Sequence, residues 1–481
     1  MFFSKKKSEQ LLALIRNGSI MSGNDKMRLL LSLSIPSMLA QLSAVVMFFI
    51  DQAMVGSLGA RASAAIGIVE TTTWLMGGIT SATSMGFSVQ VAHFIGANDF
   101  ARAREVIRTG LVTATLFSLI VMLGGICIAT PLPFWLGGGT DIAHDASMYF
   151  LIFSFALPFF QLYSLSAAVL KCAGDMQLPS VMSIAMCLLD VVFNFLLIYP
   201  CREMEIFGWK IFMPGAGLGV TGAAIGTALS IVVAALFLFG NTLFRSPTLS
   251  ILLDKTRRFF VWSYFKQALK ISTPMGLQVF LMGSAHVVST MIVTPLGNIA
   301  IAANTLAITA ESLCYMPGYG IGEAATTLVG QSLGAGRKDL CRSFARISVF
   351  TGMIVMAFMG LVMYIAAYDM MSLMTPVEEI RTLGAACLRI EAFAEPMFAA
   401  SIVTYSVCVG AGDTLRPAIY NLISMWGIRL SLAALLAKDY GLRGVWIAMA
   451  VELTMRGLIF MVRLYRGKWM KAMQVNPKGL S

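Results

Sequence analysis

Long apolar segments follow one another along the whole chain, and they constrain the fold more than any other feature. Each is close to or above the roughly 20 residues that an α-helix needs to cross a bilayer. Of the 481 residues, 58% are hydrophobic and 12% are charged, whereas soluble proteins carry about 25% charged residues. The pattern predicts an all-α membrane protein with twelve transmembrane helices. The predicted segments are about 29–55, 63–95, 109–130, 146–170, 178–199, 217–244, 268–294, 300–332, 347–368, 382–408, 417–437 and 444–465.

The second half of the sequence repeats the first. Pro36 in LSIPSMLAQ corresponds to Pro274 in KISTPMGLQ, 238 residues later. Four further pairs have the same separation: Gly59 and Gly297, Gly96 and Gly334, Asp175 and Asp413, and Pro179 and Pro417. Each half then holds six helices, and an even number gives both halves the same orientation in the membrane. The repeat predicts two six-helix lobes related by a parallel internal repeat, an architecture found in transporters.

Basic residues are distributed unevenly between the loops. Of the 35 Lys and Arg residues, 26 lie on the side that holds both termini, six lie opposite, and three lie within helices. Because Lys and Arg mark the cytoplasmic side, both termini are predicted to be cytoplasmic, with residues 200–216 and 369–381 outside a plasma membrane. The net charge of +11 therefore reflects topology and does not indicate a nucleic-acid partner.

The same pattern gives the predicted domains. They are a cytoplasmic N-terminal segment 1–28, a first lobe 29–244, a cytoplasmic linker 245–267, a second lobe 268–465 and a cytoplasmic tail 466–481.

Several classes of site have no support in the sequence. The eight cysteines are scattered without a C-x-x-C motif, so neither a metal site nor a disulfide framework is predicted. No G-x-x-x-x-G-K-[ST] or H-E-x-x-H motif occurs, and the G-x-S-x-G match GQSLG at 330–334 lies at the end of an apolar segment, so neither nucleotide binding nor enzyme catalysis is predicted. With no cofactor and no nucleotide predicted, the energy for transport has to come from an ion gradient.

One polar group interrupts the first apolar segment. Asp51 lies in VVMFFIDQAMVGSLGA, and a carboxylate near the centre of a spanning helix costs roughly 2.5–3.5 kcal/mol. If the helix ends near Gly56, Asp51 is about 7–8 Å deep, at a rise of ~1.5 Å per residue. Asp190 and Asn194 share one face of helix 5, and Thr227 of helix 6 lies at similar depth. We expect a carboxylate pocket for a cation; the alternative makes Asp51 an interfacial cap and the pair helix-packing groups.

The second half has its own charged residues within predicted helices. The candidates for a substrate site or a charge network are Glu311, Glu391, Glu395, Arg429, Glu452 and Arg456, with Arg389 as a third base. Acids and bases in similar number predict buried ion pairs, with Glu391 or Glu395 as the expected partner of Arg429. Acids without a partner remain available to substrate cations. Pro317 and Gly318 are predicted to break helix 8 near Glu311 and to leave carbonyl groups facing a cavity.

Several motifs resemble the multidrug and toxic compound extrusion (MATE) family. They are FFIDQAMVGSLGARASAAIG, MPGYGIGEAATTLVGQSLGAGRKD, VGAGDTLRP and GVTGAAIGTALS, and the resemblance covers roughly residues 30–465. It implies two lobes that alternate between outward-open and inward-open states. It also implies export of small organic, often cationic and amphipathic compounds in exchange for protons or sodium. We expect the protein to contact membrane lipids and to act as a monomer.

The resemblance also bears on individual residues. It implies an acid in helix 1 at Asp51, a threonine in helix 6 at Thr227 and an Asn-x-x-x-acid pair in helix 5. This chain has the reverse order in helix 5, Asp190 and then Asn194. In the sodium-coupled branch of the family a glutamate follows the helix-7 proline by two turns. The corresponding residue here is Met282, which favours the proton over sodium as the coupling ion.

Other functions remain as alternatives. A lipid-linked precursor flippase of the same superfamily is the nearest, although such flippases tend to carry extra helices. A membrane-embedded enzyme and a passive channel are more distant alternatives, and a flux assay under an imposed ion gradient separates a channel from a transporter.

Overall fold

The computed structural model describes residues 5–206, 209–246, 248–251 and 258–471. Its helices are α1 Lys5–Arg16, α2 Gly23–Gly56, α3 Ala60–Gly96, α4 Phe100–Ile128, α5 Leu132–Trp135, α6 Thr140–Ala173, α7 Gln177–Ile198, α8 Gly219–Gly240, α9 Trp262–Val293, α10 Asn298–Gly334, α11 Lys338–Met374, α12 Glu378–Ala392, α13 Glu395–Gly410, α14 Leu415–Leu422 and α15 Leu430–Arg466. Two strands, β1 Pro200–Ile206 and β2 Trp209–Ala216, pair antiparallel. The sequence predicted only an external loop where this hairpin lies.

Twelve spans can be traced through the described ranges. Nine helical segments are long and apolar enough to cross a membrane, and the bent pair α12 and α13 makes a tenth span. The 37-residue α3 is also long enough to cross. The segment Leu415–Arg466 has 52 residues and divides at Gly441, which has a φ of 56°. These elements confirm the prediction of twelve transmembrane helices in two halves.

Each half packs around its own core. In the first half, Phe87 of α3, Leu165 of α6 and Leu238 of α8 belong to one buried cluster. The core of the second half includes Met371 of α11 and Trp446 of α15, and α10 contributes a row of alanines to it. Small residues let spanning helices approach closely, and such packing holds helices together where lipid offers no hydrophobic driving force.

The two lobes contact each other in the half of the bundle next to α1, here called the α1 side. Gly96 of α3 and Gly334 of α10 meet there: an added Cβ would lie 2.1 Å from the carbonyl oxygen of Gln331 in the first case and 2.0 Å from that of His93 in the second. The interlobe hydrogen bonds between described residues also lie on this side. Under the predicted topology the α1 side is cytoplasmic, so this arrangement is closed to the cytoplasm.

The N-terminal helix α1 contributes to this closure. Ile15 is fully buried in a cluster that includes Leu29 of the first lobe and Phe344 of the second. Arg337 of the second lobe donates to the carbonyl oxygen of Leu14 at 2.9 Å. The helix therefore contacts both lobes, although the sequence analysis assigned no structure to the N-terminal segment.

One prediction about a break in a helix was wrong. Helix α10 continues through Pro317 and Gly318. Spanning helices tolerate proline where a neighbouring helix supports the weakened turn, and Gly318 lies so close to Met356 of α11 that an added Cβ would overlap it. The predicted segment 382–408 is bent, since α12 and α13 meet at an angle of 60°. The cause is Pro396 in the first turn of α13, whose ring is incompatible with a helical carbonyl at residue 392.

Candidate functional site

Three side chains from two helices of the first lobe meet in the membrane. Asn194 of α7 donates from Nδ2 to Oδ1 of Asp51 on α2 at 3.0 Å and to Oδ2 of Asp190 at 3.3 Å. Asp190 and Asn194 are almost fully buried, and Asp51 is partly buried. Helix α2 ends at Gly56, as the sequence predicted. Asp51 therefore binds a side chain of another helix and does not cap a helix end.

Helix α8 completes the cluster. Ser230 lies 3.5 Å from Oδ1 of Asp190, and the side chain of Thr227 also contacts Asp190. The sequence analysis selected Thr227 and missed Ser230. Their spacing of three residues places both on one helix face, and this spacing was the signal available in the sequence.

A glycine makes the approach of α7 to α8 possible. A Cβ at Gly226 would lie 2.1 Å from Oδ1 of Asn194. The side-chain oxygen of Asn194 therefore faces a gap that only glycine leaves, and both hydrogen bonds of its amide group go to carboxylates. Gly226 was not predicted, because a sequence does not indicate which glycine faces a neighbouring helix.

The cluster opens into a cavity of about 400 Å³. Aromatic side chains dominate its wall: Phe48, Trp74, Tyr149, Phe153 and Phe160. Glu70 of α3 is a third acid facing this space, and none of the described lining residues is Lys, Arg or His. Clefts of this size with a few convergent polar groups suit small organic ligands, and here the charged lining residues, Asp51 and Glu70, are acidic.

The second lobe contains an ion-pair cluster around one acid. Glu452 of α15 is fully buried. Its Oε2 accepts from Nε of Arg429 at 3.1 Å, and Oε1 lies 3.2 Å from Nε of Arg456. Ser424 also donates to this carboxylate. Buried pairing exists as predicted, but Arg429 binds Glu452 and not Glu391 or Glu395, and one acid binds both arginines.

The other three candidate acids, Glu311, Glu391 and Glu395, lie near this cluster without an ion pair of their own. Glu391 and Glu395 are fully buried. Neither carboxyl oxygen of Glu391 has a hydrogen-bond partner, and the carboxyl group of Glu395 contacts the thiol of Cys314. Glu391 and Glu395 flank the bend between α12 and α13. Glu311 of α10 is buried and within electrostatic range of both.

Arg389 does not belong to this network. Its side chain is exposed, and its guanidinium stacks over Tyr364 at 6.0 Å. The expectation that it pairs with the buried acids was wrong, because the face of α12 that carries Arg389 points away from Glu391. Met282, the position tested for sodium coupling, packs against Ala285, Met425 and Leu430.

Comparisons with known proteins identify the family of this chain. The MatE family model matches residues 36–196 and 274–435, once in each half of the chain. The protein is 26% identical to a probable multidrug resistance protein NorM of Thermotoga maritima over 451 residues, which cover 92% of this chain and 93% of the relative. A probable NorM of Idiomarina loihiensis is 27% identical and covers 90% and 92%.

Solved transporter structures share the fold. A MOP superfamily transporter from Pyrococcus furiosus aligns with a TM-score of 0.85 over 96% of this chain and 99% of its own, at 19% identity. An outward-facing multidrug resistance MATE transporter aligns with a TM-score of 0.85 over 95% and 98%, also at 19% identity. With a family model matching both halves and transporters among its relatives, the chain belongs to the MatE family of multidrug and toxic compound extrusion transporters.

Proposed function

We propose that this protein exports organic, cationic and amphipathic compounds in exchange for protons, by alternating access. The observation that carries the proposal is the carboxyl–amide–carboxyl cluster of Asp51, Asn194 and Asp190 at the edge of an aromatic-lined cavity. Like the multidrug resistance proteins it resembles, it is expected to accept small organic compounds. We place it in the plasma membrane as a monomer with both termini cytoplasmic.

The chemistry of the cluster favours coupling between a proton and a cationic compound. Two carboxylates in one poorly solvated pocket repel each other, and Asn194 offers hydrogen bonds but no positive charge. A bound proton or a bound organic cation neutralises part of this negative charge. Binding of one therefore weakens binding of the other. Ligands that compete in this way drive exchange when they prefer different lobe arrangements.

Protons suit the site better than sodium does. The residue two turns beyond the helix-7 proline is Met282, surrounded by apolar side chains, so this position offers no oxygen ligand. Asp51 and Asp190 need only accept protons, and Asn194, Thr227 and Ser230 hold them in place through hydrogen bonds. No ring of oxygen ligands is needed for that task.

The acids of the second lobe are proposed as a second place where positive charge binds. Glu452 binds Arg429 and Arg456, whereas Glu391 lacks a hydrogen-bond partner and Glu395 contacts only the weakly polar thiol of Cys314. A buried carboxylate without a partner is costly unless it holds a proton or a cation. Glu391 and Glu395, with Glu311 nearby, are therefore candidates for substrate or ion binding, and Glu452 with its arginines is a structural network.

Transport of ethidium, a fluorescent organic cation, into proteoliposomes tests the proposal. We expect a pH gradient to drive uptake and a sodium gradient at uniform pH to drive none. Asp51→Asn should abolish the response to the pH gradient, and Asp141→Asn should not. Asp141 is the matched control because it is exposed in the first turn of α6. Uptake that follows sodium alone would overturn proton coupling, and equal uptake without any gradient would indicate a channel.

A further inference from the structure

A second cavity lies between the lobes. It encloses about 340 Å³ and is lined by both halves of the chain, with Phe160 and Tyr163 from one and Tyr319 and Tyr405 from the other. Aromatic rings of this kind hold apolar bodies and attract cations to their faces. The cavity therefore combines the surface that an amphipathic cation needs with access to both lobes.

One ion pair crosses the wall of this cavity. Nζ of Lys171, in the last turn of α6, lies 2.7 Å from Oε1 of Glu323 on α10. Among the ion pairs between described residues, it is the one that joins the two lobes. Gln41 of α2 donates to the same oxygen at 3.3 Å, while Oε2 of Glu323 is enclosed without a hydrogen-bond partner. The side chains are 21% and 29% exposed, so both remain in reach of the cavity.

The internal repeat indicates that the fold does not need these charges. At the separation of 238 residues, Glu323 corresponds to Met85 and Lys171 corresponds to Val409. Met85 and Val409 line the same cavity. The lobes thus approach each other with an apolar pair on one side of the repeat axis and a charged pair on the other. Packing alone is sufficient at this position, and the ion pair requires a different explanation.

We propose that Glu323 binds the positive group of the exported compound, and that Lys171 displaces this group when the lobes close on the α1 side. The proposal rests on the proposed function, since it assigns a binding residue to the export of organic cations. It makes Lys171 an internal competitor of the substrate, present at Glu323 in one lobe arrangement and absent in the other.

The contacts around the pair supply the switch. Thr327 donates to the carbonyl oxygen of Lys171 at 3.0 Å, and Gln331 donates to that of Cys172 at 2.9 Å. With Glu323 these residues follow a spacing of four and share one face of α10. Separation of the lobes breaks all of these contacts together and leaves Glu323 facing the cleft without Lys171. A cation bound there loses its partner when Lys171 returns, so affinity is high while the α1 side is open and low once it closes.

Equilibrium binding of ethidium to purified protein at fixed pH tests the exchange. We expect Glu323→Gln to raise the Kd roughly tenfold or more, because it removes a charged partner. Lys171→Met removes the competitor and should lower the Kd. The double variant Lys171→Val with Glu323→Met carries the residues of the other repeat, should fold, and should bind as weakly as Glu323→Gln. Glu378→Gln, which alters the surface pair with Arg381, is the matched control and should leave the Kd unchanged.

The directions in which Glu323→Gln and Lys171→Met shift the Kd decide between exchange and a purely structural role of the ion pair. If the Lys171–Glu323 pair only stabilises the contact between the lobes, both single variants weaken the same contact. They would then shift the Kd in the same direction or not at all, and this result would overturn the exchange. Wild-type transport of ethidium tests the proposed function separately. Ethidium transport without opposite shifts in Kd would refute this inference alone, and absence of ethidium binding and transport in the wild type would refute both.

Discussion

Nε2 of His93 lies 2.9 Å from the carbonyl oxygen of Gly410, across the contact between the two lobes. The repeat-related residues form the same bond in the opposite direction, since Nε2 of Gln331 donates to the carbonyl oxygen of Cys172 at 2.9 Å. Both donor residues and both acceptor residues are 238 positions apart. The closed α1 side is thus held by a symmetrical pair of hydrogen bonds in which histidine and glutamine have the same role.

This equivalence predicts that glutamine can replace His93. His93→Gln should keep the bond to Gly410 and change the melting temperature of the purified protein little. His93→Leu should lower it, because the buried carbonyl of Gly410 then loses its partner at a cost of about 1–3 kcal/mol. Thermal unfolding of both variants in detergent provides the measurement. Equal losses in the two variants would show that His93 contributes through its shape and not through this bond.

The sequence predicted the repeat but not this contact. Pro36 and Pro274 set the register of the two halves, and glycines such as Gly96 and Gly334 recur in it. Which glycine faces the partner lobe depends on the rotation of each helix about its axis. Amphipathic periodicity normally reveals that rotation, but spanning helices are apolar on all sides. The interlobe surface therefore had to be seen in three dimensions.

A second prediction concerns the gap that Asn194 occupies. Gly226→Ala should push α8 away from α7, since the new methyl group would lie 2.1 Å from the Asn194 oxygen. Overpacking of this kind costs about 1–3 kcal/mol, and ethidium transport should fall with it. Gly240→Ala, in the same helix with open space around it, is the control and should be neutral or slightly stabilising. Normal transport by a well-expressed Gly226→Ala protein would mean that the cluster tolerates a wider spacing.

A third prediction separates the acids of the second lobe. Glu452→Gln leaves Arg429 and Arg456 without their carboxylate, and loss of one partner from a buried ion pair costs about 3–5 kcal/mol. Glu391→Gln removes a carboxyl group that has no hydrogen-bond partner and leaves no arginine unpaired, so it should lower stability much less than Glu452→Gln does. Folding yield and melting temperature in detergent provide the comparison. Similar losses in the two variants would mean that Glu391 also has a binding partner that stabilises the fold.

The candidate sites were predictable to different degrees for physical reasons. Depth along each helix follows from the residue count, so Asp51, Asp190 and Asn194 could be predicted to lie close together. Partner choice in the second lobe could not be predicted, because Glu452 binds two arginines and leaves Glu391 and Glu395 with none. Counting equal numbers of acids and bases hides such an uneven distribution.

The topology prediction can be tested with single cysteines at exposed positions. A cysteine at Asp141, in the first turn of α6, should react with a membrane-impermeant maleimide in intact cells. A cysteine at Asp339, in the first turn of α11, should react only after permeabilisation. The predicted cytoplasmic linker 245–267 includes residues 247 and 252–257, which lie outside the described residues, so these two positions are better markers. Labelling of position 339 in intact cells would show that the whole bundle has the opposite orientation to the one predicted.

The last prediction concerns Asp51 and Asp190 as a unit. Asp51→Asn keeps the size of the side chain and the oxygen that accepts from Asn194, and a neutral amide costs less in a membrane than a carboxylate. The variant should therefore fold and insert, and it should lose ethidium transport driven by a pH gradient. Asp190→Asn should lose it too. The double variant should be no worse than either single one, because groups that serve one protonation event act non-additively.

The measurement that decides this is the initial rate of ethidium uptake by proteoliposomes at several external pH values, with Asp141→Asn as the exposed control. If Asp51 only joins α2 to α7, its asparagine variant still accepts the bond from Asn194 and should transport normally. Near-normal, pH-dependent uptake by a well-folded Asp51→Asn protein would therefore remove Asp51 from the coupling mechanism. If Asp190→Asn alone abolished transport, Asp190 would be the single proton carrier. Loss in both variants, without further loss in the double one, is the result expected of two carboxyl groups that contact each other and serve one protonation event, with Asn194 donating to both.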